Sequence, residues 1–163
     1  MSDLTHRWEH HGQVTVFTWV GDQDVPITRV YALAFTPEGK MLLVGDGSGD
    51  PGYWLPGGGI EGDETPEHAL ARELDEEAAA TVLDTERLGA QRSDDPTGRH
   101  YYQAFYWCRV TLAEEFVPKH EVQERKLVAP EDFLDTLFWG RQDPKGAMLL
   151  ERALEQERLH SAP

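Results

Sequence analysis

A chain of 163 residues with 39% hydrophobic and 28% charged residues fits one soluble-type globular domain and has ample length for a single core. Its 30 acids against 15 bases give a net charge of −15, which excludes a basic nucleic-acid-binding surface, and the sequence carries no basic stripe. A small anionic substrate meets the same repulsion unless a metal ion neutralises its site.

Residues Val14 to Val20 and Ile27 to Phe35 are β-branched and aromatic with partial alternation, which predicts two strands. Thr36-Pro37-Glu38-Gly39-Lys40 is a turn signal, and a short strand resumes over Met41 to Val44, completing a hairpin. A loop is expected from Asp46 to Gly52, followed by Tyr53-Trp54-Leu55 and a glycine turn. Thr65 is a good N-cap with Pro66 at the first helical position, so a helix starts there and runs to about Ala80. Val82 to Asp94 reads as strand at least in part, Asp95 to Gly98 as a turn, and His100 to Leu112 as the longest strand. A loop through Pro118 to Glu124 leads to a short strand over Lys126 to Val128. Helices follow from Pro130 to about Phe138 and from Lys145 to Leu159. Strands broken by hairpins, with one helix mid-chain and two at the end, predict a mixed α/β layer fold, with residues 1–163 forming one domain.

The mid-chain helix carries Arg72-Glu73-Leu74-Asp75-Glu76-Glu77, four acids within five positions. At about 100° per residue, Glu76 and Glu77 lie roughly 60° behind and 40° ahead of Glu73, while Asp75 projects away. Three carboxylates on one face destabilise a bare helix, and a hard divalent cation reverses that penalty. Most charge runs are solvated faces. Here, however, Leu70, Leu74 and Ala78 form an adjacent apolar stripe, and a glycine-rich turn precedes the helix.

The segment from Gly58 to Ala80 resembles the signature of the Nudix hydrolases, G-x5-E-x7-R-E-U-x-E-E-x-G-U, with U aliphatic. Gly58 opens it, Glu64 follows after five residues, Arg72-Glu73-Leu74 after seven more, and Glu76-Glu77 completes the acids. Ala79 stands where the family has glycine, and Ala80 is a weak aliphatic. A glycine at that place normally leaves the helix in a left-handed turn, so either the helix continues into Ala80 and Thr81 or the exit differs. The resemblance implies an α/β/α sandwich with a mixed central β-sheet over residues 14–158.

It also implies hydrolysis of a phosphoanhydride in a nucleoside diphosphate linked to a further moiety, by attack of water on phosphorus. Mg²⁺, or Mn²⁺, would be held by Glu73, Glu76 and Glu77 and by the carbonyl of Gly58. Arg72 and Glu64 would orient the carboxylates, supported by Gly57 and Gly59. Glu77 or Glu76 would act as general base, with Glu121 and Glu124 of the late loop as further candidates. Substrate selection falls outside the signature; Tyr53, Trp54 and the aromatics of the 100–112 strand are candidates for stacking, although such residues are more often core.

Two other classes compete. A non-catalytic ligand-sensing or interaction domain of the same fold usually loses signature acids, and all three remain here. Isoprenoid diphosphate isomerase chemistry needs a catalytic cysteine, and Cys108 sits in an aromatic strand and reads as buried. A single cysteine suits a reducing compartment, and Met1 to His11 lacks the apolar core of a signal peptide, so a cytoplasmic location is expected. The expected partner is a small diphosphate, with neither nucleic-acid polymer nor membrane; oligomeric state stays open, a homodimer included.

Overall fold

Alternating apolar residues close into one mixed sheet in the computed structural model, which describes residues 4–48 and 52–161. The elements are β1 (Thr5–His10), β2 (Gln13–Gly21), β3 (Ile27–Phe35), β4 (Met41–Gly45), β5 (Gly57–Gly59), α1 (Pro66–Ala78), β6 (Ala80–Asp94), β7 (His100–Leu112), β8 (Glu124–Val128), α2 (Pro130–Thr136) and α3 (Lys145–Ser161). The strands run in the order β1-β2-β6-β7-β3-β4-β8, with β5 paired to β3. β3 and β7 pair in parallel, and the other pairings are antiparallel.

The period-2 alternation of β3 divides the core. Val30, Ala32 and Ala34 face one side with Leu70 and Leu74 of α1, while Leu33 and Phe35 face the other with Phe133 of α2 and Leu149 of α3. The expected α/β/α sandwich with a mixed sheet is therefore the fold.

α1 starts where its capping residues require. Thr65 Oγ1 accepts from the His68 N–H at 3.1 Å, and Pro66 occupies the first turn. Its exit differs from the expectation raised by Ala79. The helix does not continue; Ala79 itself takes the left-handed conformation, at φ 51° and ψ 42°, and its N–H bonds to the carbonyls of Leu74 and Asp75. Ala80 then enters β6 directly.

Several boundaries also differ. The polar N-terminal segment is an edge strand, β1, whose His6 and Trp8 turn half-buried toward the sheet. The glycine turn is itself a strand, β5, because pairing with β3 rewards an extended backbone whatever its side chains. α2 ends at Thr136 rather than Phe138, and β6 is strand throughout, bent by two register shifts. The predicted 46–52 loop lies partly outside the described residues.

Candidate active site

β5 brings the glycines against α1. Gly57 has φ +153°, and a Cβ there would stand 2.0 Å from the Val30 carbonyl oxygen, so no side chain fits. A Cβ on Gly58 would stand 2.5 Å from Glu73 Oε1. The bare backbone thus lets the Glu73 carboxylate lie directly on the strand.

Arg72 organises the acids. Its Nε and Nη2 donate to the two carboxylate oxygens of Glu64, at 2.8 and 2.9 Å, a bidentate fork. Nη1 donates to Glu73 Oε1 at 3.0 Å and to Glu76 Oε2 at 3.3 Å, and Nη2 also reaches the Gly59 carbonyl at 2.9 Å. Glu64 accepts the Glu61 N–H as well, and this donor set holds its carboxyl down to about 2. The same contacts raise the Arg72 guanidinium above its already high value.

Glu77 points inward. Its Oε1 accepts the Gly57 N–H at 2.7 Å, yet burial outweighs that bond and pushes its carboxyl up to about 8, with the fields of Glu73, Glu121 and Glu76 adding to the rise. Glu73 is raised too, chiefly by burial, against the opposing pull of Arg72. The helix therefore gathers Glu64, Arg72, Glu73, Glu76 and Glu77 with Gly57, Gly58 and Gly59 at one end of the sheet.

The two late-loop acids part company. Glu121 is exposed and close enough to act on Glu77. Glu124 pairs in register with Gly45, and its Oε1 accepts the Tyr53 hydroxyl at 2.8 Å. Tyr53 packs with the core on the α2–α3 side, so Glu124 faces away from α1. Its neighbour Arg125 faces α1 instead and donates to the Ala78 carbonyl at 2.7 Å, closing the helix end. Arg125 was absent from the sequence-based candidates; a basic residue on a short strand carries no local sign of capping a distant helix.

Cys108 and three of the strand aromatics lie in the core. Cys108 is fully buried beside Thr85 Oγ1, and burial pushes its thiol up to about 12. Phe105, Tyr106 and Trp107 are buried, whereas Tyr101 and Tyr102 are half-buried.

A glycine strand facing a helix whose arginine threads three glutamates defines the class, and the sequence comparisons agree. The NUDIX domain pattern matches residues 25–148, and the chain belongs to that family. It is similar to an RNA pyrophosphohydrolase of Acidiphilium cryptum, 44% identical over 61 residues that make up 35% of this chain and 37% of that protein. It is also similar to an 8-oxo-dGTP diphosphatase of Proteus vulgaris, 40% identical over 76 residues, 46% of this chain and 61% of that one. The chain thus spans between about a third and three fifths of the length of these curated relatives. Among solved structures, a Bacillus subtilis pyrophosphohydrolase superposes with a TM-score of 0.70 at 19% identity, covering 96% of this chain and 98% of that one. The NUDIX domain of Shewanella oneidensis NrtR, complexed with ADP ribose, superposes with a TM-score of 0.60 at 24% identity, covering 82% and 90%. These structural likenesses establish the fold.

Nudix hydrolases generally use divalent metals, and the donors gathered here suit one. They are hard oxygens, and the missing Cβ of Gly58 leaves its backbone open beside Glu73. Among the described residues, no three His, Cys, Asp or Glu side chains already converge as a metal cage. Arg72 holds Glu73 and Glu76, and the Gly57 amide holds Glu77. No helix among the described residues is long and apolar enough to cross a membrane.

Proposed function

We propose that this chain hydrolyses a phosphoanhydride in a small nucleoside diphosphate linked to another moiety, by attack of water on phosphorus. The observation that carries the reading is Arg72, whose three nitrogens tie Glu64, Glu73, Glu76 and the Gly59 carbonyl into one constellation. The partial relatives named as an RNA pyrophosphohydrolase and an 8-oxo-dGTP diphosphatase support anhydride chemistry. A small substrate is favoured over an RNA polymer because the chain carries a charge of −15.

Glu73, Glu76 and Glu77 with the Gly58 carbonyl would hold Mg²⁺ or Mn²⁺. When bound, such an ion neutralises the diphosphate and lowers the pKa of its water. Arg72 and Glu64 keep the carboxylates aimed, and β5 presents its backbone without side chains in the way. Glu77 is the proposed acceptor for the proton of the attacking water, with Glu121 beside it as the second candidate; Glu76, half-exposed, serves as ligand. Glu124 supports the sheet end through Tyr53. A reducing, cytoplasmic setting belongs to the same reading, since Cys108 is a buried free thiol.

Release of phosphate or pyrophosphate from a panel of diphosphate compounds, with Mg²⁺ or Mn²⁺, tests the reading directly. Turnover of at least one compound is expected, falling by about 10³-fold or more in Glu77→Gln at saturating Mg²⁺ with an unchanged circular dichroism spectrum. Inactivity across the panel with ligand binding retained would favour a ligand-sensing domain instead.

A further inference from the structure

α3 ends on the sheet through a histidine whose two ring nitrogens both meet acceptors. His160, in the last turn of α3, places Nδ1 2.9 Å from the Gln156 carbonyl oxygen and Nε2 3.4 Å from Asp84 Oδ2 on β6. Its ring stacks on Trp107 of β7, with centroids 4.2 Å apart and planes at 28°. A backbone carbonyl and an ionised carboxylate only accept, and a neutral imidazole carries one N–H. In the neutral ring one nitrogen therefore turns a lone pair toward an oxygen. Only the imidazolium donates to both.

The surroundings suit that cation. Asp84 Oδ1 accepts the Thr85 N–H at 2.9 Å, which leaves Oδ2 turned to His160. The last carbonyls of a helix form the negative end of its dipole, and an indole face attracts a cation. Glu86, register partner of Trp107, adds a carboxylate from β6. On α3, Arg158 is paired with Glu155, and Glu157 Oε1 accepts Trp107 Nε1 at 3.1 Å. The opposing charge from β7 is Arg109. Its Nε and Nη2 donate to Glu157 Oε1 at 3.2 and 2.8 Å, and Nη2 also reaches Ser161 Oγ at 3.2 Å. The Glu157 contacts thus fix α3 up to one turn short of its end. Beyond them, His160 and Ser161 bond the chain to the sheet, and the His160 ring covers the buried Trp107.

We propose that His160 is a pH-sensitive latch. As the imidazolium it clasps the last turn of α3 to Asp84 and Trp107; without its proton the Asp84 contact turns repulsive, residues 158–161 detach and the Trp107 ring is uncovered. Histidine is the side chain that changes charge between about pH 5 and 8, so the latch is closed in acid and opens as pH rises through that range.

Hydrogen exchange of the amides of residues 157–161 in the full-length protein, corrected for the intrinsic rate at each pH, tests the latch. Protection in wild type is expected to fall about fivefold or more between about pH 5.5 and 8.5, through loss of a charge-assisted bond and a helix-end cation. His160→Gln alters only the last turn, so the core packing stays, and the weak protection of high pH should appear at every pH. Asp84→Asn should remove most of the fall while keeping the stack on Trp107. The pH dependence of global stability is common to wild type and both variants, so the difference between them isolates the latch. Wild-type protection that is constant with pH, or a fall of equal size in His160→Gln or in Asp84→Asn, overturns the proposal.

Discussion

Arg72 has every guanidinium nitrogen engaged by neighbouring acids and backbone, so under the proposed function it positions carboxylates rather than binding phosphate. Glu77 is the residue whose chemistry that frame leaves unsettled, a carboxyl driven by burial from its ordinary 4.5 to about 8. A folded-state value above the unfolded one means the native protein binds the extra proton. Its contribution is therefore full below about pH 4.5 and lost as pH rises toward 8. Without divalent cation, the denaturation midpoint should fall across that window, and Glu77→Gln should flatten the slope; a slope identical in wild type and variant would contradict the burial assigned to Glu77.

The C-terminal end of α1 carries strain. Ala79 adopts a left-handed conformation that costs an L-residue roughly 1–2 kcal/mol and glycine almost nothing. Ala79→Gly is expected to raise stability in urea by about 1 kcal/mol with turnover unchanged, because the carboxylates lie on the preceding turns. Arg125 holds the same end through the Ala78 carbonyl, and it also reaches the carbonyls of Ala113 and Glu114. Arg125→Leu should cost about 2 kcal/mol, the value of charge-assisted bonds to carbonyls. It should also weaken Mg²⁺ activation by loosening the helix end; an unaltered metal dependence would mean that α1 is held by its apolar stripe alone.

At the scale of the molecule, two layers of helix cover the two faces of one sheet. α1 presents its carboxylates beside the glycine backbone of β5 on one side, α2 and α3 cover the other, and β3 packs against both because its side chains alternate. The net charge of −15 surrounds the whole. An anionic substrate approaches against that field, so raising ionic strength from about 10 mM to about 150 mM should increase kcat/KM by shortening the Debye length from about 30 to about 8 Å. A fall in kcat/KM over that range would show that local attraction at the site outweighs the global repulsion.

The sequence by itself determined what is encoded in local spacing. Thr65 and Pro66 start α1, the i, i+3, i+4 positions of Glu73, Glu76 and Glu77 put them on one face, and the strands from Val14 to Leu112 follow from alternation. β1 and β5 escaped it because polar and glycine-only segments gain extended structure from their partners rather than from their own propensities. Only the tertiary structure decided what depends on distant register. It turned Glu124 toward Tyr53 and left Glu121 near Glu77, it made Arg125 the cap of a helix about fifty positions away, and it joined Arg29, Tyr31, Gln103 and Gln91 across three strands. Gln91 and Gln103 are both buried, and nothing in the residues around them marks the two as partners. The residues of the proposed anhydride site lie within one short segment, where helix geometry fixes neighbours, whereas the Gln103–Tyr31 contact joins residues 72 positions apart, which no spacing along the chain records.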